Sequence, residues 1–327
     1  MSLTFTVAIP TYNGGSRIPE VLERLRRQTG TESIRWEVIV IDNNSTDNTA
    51  EIIKAYQENW SPDNPLRYCV EARQGAGFAR QLAVKEAQAP LIGFLDDDNI
   101  PALNWVAAAV AFAQAYPQAG AYGSQIHPDF EVPPPDSLRP ILPFLAIAER
   151  GDQPFRYEPH NKLLPPSAGL VIRKQAYLDS VPSQLILTGR IQGNMLTGED
   201  LEMLSYMQLN GWEIWYNPDM EIDHKIPQKR LQRDYLIPFM RGIGLSRFVT
   251  RMLSVKPWQR PLAFVAYTVN DLRKLIIHSL KYQGKRQSDL VAACQWQLVL
   301  SSLESPFYLY KNGYFNHPNQ IITLKGK

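Results

Sequence analysis

Leu91-Ile92-Gly93-Phe94-Leu95-Asp96-Asp97-Asp98-Asn99-Ile100-Pro101 is an apolar, strand-like run that ends in three adjacent carboxylates. Carboxylates this close raise one another's pKa and repel, so a folded chain keeps them only beside balancing cations or partner groups. One such balance is a hard divalent ion, Mg2+ or Mn2+, which takes oxygen donors and leaves positions open for water and phosphates. The same residues also read as a solvated turn, with Asn99 and Pro101 as the cap and first-turn residues of a helix over 103–116.

Working outward from this run, short β-rich stretches alternate with amphipathic ones of helical length. Strands are expected over 5–9, 36–41, 66–70, 91–95 and 119–122, with helices over 18–28, 46–58, 77–86 and 103–116. That alternation predicts the α/β class, a Rossmann-like and mostly parallel sheet flanked by helices. In such sheets ligands bind beyond the carboxyl ends of the strands, so Pro10 to Asn13, Asp42 to Asn44 and the aspartate triple should meet in one crevice. From 124 to 166 prolines become frequent, and a loop excursion is expected in place of regular sheet. A strand pattern returns over 167–173, a helix over 198–210 and a short strand over 213–216. Residues 229–305 read as helical, with breaks at Pro257 and Pro261.

The 327 residues, 44% apolar and 20% charged, have the composition of a folded globular protein. No apolar run reaches spanning length and the start of the chain enters a strand pattern directly, so neither membrane spanning nor export is expected. Only Cys69 and Cys294 are present, which gives no basis for a disulfide framework or a cysteine metal site and fits a reducing compartment. The net charge of +2 conceals an asymmetry. Residues 1–224 carry 17 Lys and Arg against 28 Asp and Glu, whereas residues 225–327 carry 17 against 4.

Several residues could do chemistry. Asp42 is a hydrogen-bond acceptor at a strand end, suited to the ring N–H of uracil, thymine or guanine; an Asx turn explains the same residues. Gly75-Ala76-Gly77 opens a helix with Arg80 one turn in, a place for phosphates or simply a helix start. Arg stands where a dinucleotide fingerprint needs its third glycine, so a Rossmann dehydrogenase is a poor match. Asp200, beside Glu199 at another helix start, is a candidate general base, or a residue serving helix electrostatics alone. His224 could add an imidazole to a carboxylate metal site, or be inert.

Taken in order, Pro10-Thr11-Tyr12-Asn13, Asp42, Asp96 to Asp98, Gly198-Glu199-Asp200 and His224 resemble the inverting glycosyltransferases of family 2, over roughly residues 4–226. The stretches "FTVAIPTYNG", "VIDNNSTDNTA" and "IGFLDDDNIPALNWV" are most similar to cyanobacterial enzymes assigned to hormogonium polysaccharide synthesis. The resemblance implies a GT-A fold, with a catalytic domain over 1–226, divided into a nucleotide-binding half 1–123 and an acceptor half 124–226, and a basic helical region over 227–327. It implies that Thr11, Tyr12 and Asp42 hold the base of a UDP, GDP or dTDP sugar, with Gly75, Arg80, Asp96 and Asp97 in the same nucleotide-sugar site. It further implies a DXD pair, Asp96 and Asp98, that with His224 binds Mg2+ or Mn2+, and Asp200 as the catalytic base. Processive members carry a Gln-x-x-Arg-Trp motif that is absent here, so one sugar would move per encounter, in polysaccharide or glycolipid synthesis.

For the basic C-terminal part, two partners are open: an anionic surface on the cytoplasmic face of a membrane, with a lipid-linked acceptor, or packing onto the rest of the chain. Nucleic acid is not expected. A nucleotidyltransferase, or a non-catalytic carbohydrate-binding protein on the same fold, are the alternative functions.

Overall fold

The computed structural model describes residues 2–161, 163–190, 195–282, 284 and 288–315. Positions 162, 283, 285–287 and 316–327, which belong to the expected loop excursion and helical region, lie outside the described residues. The chain divides into two compact units, each discontinuous in sequence.

The first unit comprises residues 1–131, 146–182 and 206–226. It begins with β1 (Phe5–Thr11), α1 (Ile18–Arg26), β2 (Trp36–Asp42), α2 (Thr49–Glu58), β3 (Leu66–Val70), α3 (Ala76–Glu86) and β4 (Leu91–Phe94). There follow β5 (Asn99–Pro101), α4 (Trp105–Ala115), β6 (Ala119–Phe130), β7 (Phe155–Arg156), β8 (Val171–Arg173), α5 (Lys174–Ser180) and β9 (Glu213–Ile226). The strands form one mixed sheet in the order β3-β2-β1-β4-β8-β6-β9-β5, with β7 on β9. β1, β2, β3 and β4 are parallel, while β8 runs antiparallel to β4 and β6.

Every residue of β1 and β2 is buried, as expected for parallel strands covered on both faces. Apart from Asp42 at the end of β2, Glu37 is the one acid among them, and it accepts hydrogen bonds from Thr6 Oγ1 and the Gln88 N–H, both at 2.8 Å, and from Arg67 at 3.0 Å. The core beneath is closed by Trp105, whose ring meets Phe5 edge-on at 5.8 Å and whose Nε1 donates to Ser124 Oγ at 3.0 Å. Gly93 makes this contact possible: a Cβ there would come within 2.6 Å of both rings.

Two expectations are corrected. Asn99 and Pro101 do not cap α4. They form β5, which pairs with β9, and the residue before α4 is Asn104. The stretch from Ser124 is strand as far as Phe130, because β9 is not the short 213–216 segment but fourteen residues long and supplies a partner along the whole of β6. Alternation of apolar residues is weak here, so only the pairing identifies the strand. The ladder slips where Asn217 and Glu221 flank Pro218, which has no N–H to donate.

The second unit takes residues 132–145, 183–205 and 227–327, so the expected acceptor half 124–226 is shared between the units; packing groups residues by what they bury, not by chain order. Its helices are α7 (Arg233–Leu253), α8 (Arg260–Tyr282) and α9 (Leu290–Lys311). Pro261 does not break a helix but sits in the first turn of α8, where a missing N–H costs nothing. α7 and α9 cross closely at Gly244, where a Cβ would stand 2.6 Å from Ser301 Cβ. The remaining helix, α6 (Glu199–Leu209), begins in this unit and ends in the first.

In the first unit His127 on β6 bonds Glu149 through Nδ1 at 2.9 Å and Glu221 through Nε2 at 3.1 Å, tying the segment after Ala146 to the sheet. Burial alone would push this imidazolium down, but the two carboxylates outweigh it and its pKa is raised. The native state therefore binds the proton more tightly than the unfolded chain does. This stabilisation is full below the unfolded value of about 6.5 and is lost as pH rises through the higher folded value. Thermal unfolding of wild type and His127→Gln from pH 5 to 8 should show the difference between them shrinking as pH rises.

Candidate active site

Three loops at the carboxyl ends of β1, β2 and β4 are laced together. Thr11 and Asp42 are register partners on β1 and β2. Asn13, in the left-handed region at φ +48°, receives a hydrogen bond from the Thr46 N–H at 2.8 Å, and its own N–H donates to Ser45 Oγ at 2.9 Å. The Gly14 and Gly15 N–H groups donate to Thr49 Oγ1 at 3.0 Å and Asp47 Oδ2 at 3.2 Å. Tyr12 stands at the rim, a large and partly exposed ring.

The aspartate triple is resolved residue by residue. Asp96 pairs with Arg80 at 3.1 Å. Asp97 is buried, clamped by Arg17 through Nε and Nη2 at 2.8 Å each, and accepts the Thr11 hydroxyl at 2.6 Å. Burial pushes the Asp97 carboxyl up while Arg17 pulls it back, and the bond to Asp97 holds the Arg17 guanidinium more firmly protonated. Asp98 receives Asn99 Nδ2 at 3.2 Å, and its Oδ2 lies 3.9 Å from His224 Nε2. That meeting is a direct product of strand pairing: Asn99 is the register partner of His224, and the Lys225 N–H donates to the Asp98 carbonyl at 3.0 Å.

Asp98 and His224 are both buried; the carboxylate suits Mg2+ or Mn2+, whereas the imidazole favours the transition ion Mn2+ over Mg2+. Asp98 Oδ2 and His224 Nε2, 3.9 Å apart, are the atoms that would hold such an ion. Among the described residues no three His, Cys, Asp or Glu side chains form a metal cluster by themselves. An ion here would therefore take the rest of its shell from water and phosphate, as Mg2+ ordinarily does.

Asp42 is buried and held from two sides: Oδ1 accepts the Ser45 N–H at 2.8 Å and Oδ2 accepts the Tyr68 hydroxyl at 2.6 Å. Burial, and then Asp42 itself, push the Tyr68 phenol far above the usual tyrosine range, so it remains a donor. The Asx turn and an oriented acceptor are thus both present in one residue.

The Gly75 expectation needs correction. Its N–H is not open to phosphate but donates to Asn43 Oδ1 at 2.8 Å, while Asn43 Nδ2 donates to the Glu71 and Arg73 carbonyls at 3.1 and 2.7 Å. Gly75, at φ +138°, supplies a turn no other residue adopts readily. Arg80 likewise serves Asp96.

Asp200 lies in the second unit, half-buried at the start of α6, with Oδ1 accepting the Leu201 N–H at 2.8 Å. Gly198, at φ +100°, turns the chain into the helix, and the buried Glu202 accepts the N–H groups of Ile186 and Leu187 at 2.9 and 2.7 Å. Arg17, Asn43, Tyr68 and Glu202 are the residues that sequence reasoning missed. Asn43 stands within the Asp42–Asn44 segment already singled out, without a role of its own there, and Arg17 lies four residues beyond the Pro10–Asn13 segment; Tyr68 lies inside a strand and Glu202 inside a helix turn, with no local mark.

Residues 6–168 match the sequence profile described as glycosyl transferase family 2. The chain carries a family 2 glycosyltransferase domain. Glycosyltransferase AglE of Haloferax volcanii is 31% identical over 106 residues, which cover 32% of this chain and 34% of AglE. Poly(ribitol-phosphate) beta-N-acetylglucosaminyltransferase TarS of Staphylococcus aureus is 33% identical over 101 residues, 30% of this chain and 16% of TarS. The match thus spans about a third or less of these relatives. Among solved structures, mannosyltransferase PcManGT from Pyrobaculum calidifontis, in complex with GDP-Man and Mn2+, has a TM-score of 0.60 at 18% identity, covering 94% of this chain and 88% of that one. S. aureus TarS 1-349 in complex with UDP has a TM-score of 0.52 at 17% identity, covering 95% and 92%. These likenesses establish a shared glycosyltransferase GT-A fold.

Arg17→Leu should leave Asp97 buried with only Thr11 as its partner and lower stability by about 1–3 kcal/mol in a denaturant titration. Adding Asp97→Asn should recover part of that loss, since the uncompensated charge is then gone.

Proposed function

We propose that this protein is a metal-dependent, inverting glycosyltransferase that moves one sugar from a nucleoside-diphosphate donor to a hydroxyl acceptor. The observation that carries this reading is the convergence of buried Asp98 and His224 at the sheet rim that also holds Tyr12 and the oriented Asp42. Tyr12 offers a ring for a base, and Asp42 an acceptor for the ring N–H of uracil, thymine or guanine, kept aimed by Tyr68 and the Ser45 N–H. Asp98 and His224 would hold Mg2+ or Mn2+; Asp96, the other carboxylate of the DXD pair, is paired with Arg80 in this structure. When bound, such an ion supplies Lewis-acid stabilisation of charge developing on the diphosphate leaving group.

Asp200 is proposed as the base that takes the acceptor hydroxyl proton, a role drawn from its place in the motif order. Attack on the face opposite the leaving group inverts the anomeric centre in one displacement, by analogy with inverting hydrolysis. The narrower likeness to hormogonium polysaccharide enzymes points to polysaccharide or glycolipid synthesis. The basic surplus of residues 225–327 fits a peripheral contact with an anionic membrane face and a lipid-linked acceptor. The nucleotidyltransferase alternative needs free N–H groups after the first strand to cradle phosphates. Those of Gly14 and Gly15 are already given to Thr49 and Asp47, which disfavours it.

Incubation with a panel of UDP-, GDP- and dTDP-sugars and Mn2+ should release nucleotide from one donor class. Release of pyrophosphate in place of nucleoside diphosphate would point instead to nucleotidyl transfer. Asp200→Asn should lower turnover by about 10²–10⁴-fold, with donor binding by calorimetry little changed. Equal turnover in the purified variant would remove Asp200 from the base role.

A further inference from the structure

α8 is built inside out. Its buried residues are Arg260 and Asp271, whose partners lie on neighbouring structure. Asp271 is clamped by both terminal nitrogens of Arg251, at 2.5 and 3.1 Å, and Arg260 Nε donates to the Met252 carbonyl at 2.9 Å. On the opposite side Leu262, Val265, Val269, Leu272, Ile276 and Leu280 form one stripe at the three- or four-residue spacing of a helix face. Their exposures run from 48% at Leu272 to 77% at Leu262. A helix docked by the hydrophobic effect alone would turn this stripe inward. The Arg251–Asp271 pair opposes that rotation, since freeing the helix would strand the buried Asp271 carboxylate without its partly buried Arg251 partner.

We infer that α8 is a membrane-surface helix that lays this stripe into the interface of an anionic bilayer. The inference deepens the peripheral contact proposed above and rests on that reading for the class of partner. Three features select lipid over a second copy of the chain. The exposed charged residues on α8 are all basic: Arg273, Lys274 and Lys281. Arg273 lies on the stripe itself, between Val269 and Ile276 on the helix surface. At a bilayer its guanidinium can extend to the phosphates, whereas a two-fold pairing of identical stripes would bring like charges together in a dry contact. Trp258, 76% exposed just before α8, is an aromatic suited to the headgroup level, as is Tyr310 near the end of α9. No described helix is long and apolar enough to cross a membrane, so α8 would lie in the plane of the surface.

The test uses the full chain and sedimentation with vesicles of phosphatidylcholine, with or without phosphatidylglycerol. Wild type should bind the anionic vesicles, more weakly at high salt, and bind pure phosphatidylcholine poorly. Val269→Glu/Ile276→Glu should cut binding by about tenfold or more, with an unchanged melting temperature because both positions are exposed. Three results would overturn the inference: no wild-type binding, binding indifferent to phosphatidylglycerol, or a wild-type dimer that the double variant turns into a monomer. Nucleotide release by the double variant in vesicle-free solution separates the two readings. Turnover there at the wild-type level, with vesicle binding lost, leaves the transferase intact and the membrane helix established; turnover absent from wild type itself counts against the transferase alone.

Discussion

Three carboxylates in a row at the end of one strand repel, and the rim of the sheet is organised around keeping them apart. Asp96 goes to Arg80, Asp97 to Arg17 and Thr11, and Asp98 to Asn99 and the vicinity of His224. Each partner comes from a different element: α3, the β1–α1 segment, and the paired strands β5 and β9. A charge problem created within three residues is thereby solved by residues up to more than a hundred positions away. The solution fixes where those elements meet.

One consequence is a division of labour that the motif does not reveal. The middle carboxylate is a structural bolt. Buried, and gripped in bidentate fashion, it fastens the loop after β1 to the end of β4. The flanking carboxylates are less committed, and the one nearest His224 is the candidate metal ligand proposed above. The same economy governs Asn43, whose side chain uses its donors and its acceptor to hold the turn at Gly75. N–H groups that a sequence reading offers to phosphate are consumed in making the site rigid, and rigidity is what orients Asp42 beneath the Tyr68 hydroxyl.

The parallel strands and their order of appearance were legible because both faces are covered and the runs are almost wholly apolar. Glu37 interrupts one such run without misleading, since its three partners satisfy it in place. The reading failed where pairing, not periodicity, makes the strand. Ser124 to Phe130 carries His127, Pro128 and Asp129, a sequence typical of loops, and is strand because β9 continues beside it. Asn99 to Pro101 has the look of a helix cap and is an edge strand for the same reason. α8 shows the reverse difficulty: its periodicity is plain, but which face turns outward was set by a single buried ion pair with α7.

By itself, then, the sequence determined the α/β alternation, the strand ends at which chemistry gathers, and the residue types available there, because these follow from local periodicity and from side-chain chemistry. Tertiary structure decided which carboxylate is bolt and which is candidate ligand, that His224 stands beside Asp98, and that α8 faces its apolar stripe to the outside. Those outcomes depend on register between strands and on ion pairs between helices distant in the chain. Such pairings are selected by the free energy of the folded whole, and no local window of sequence contains both partners.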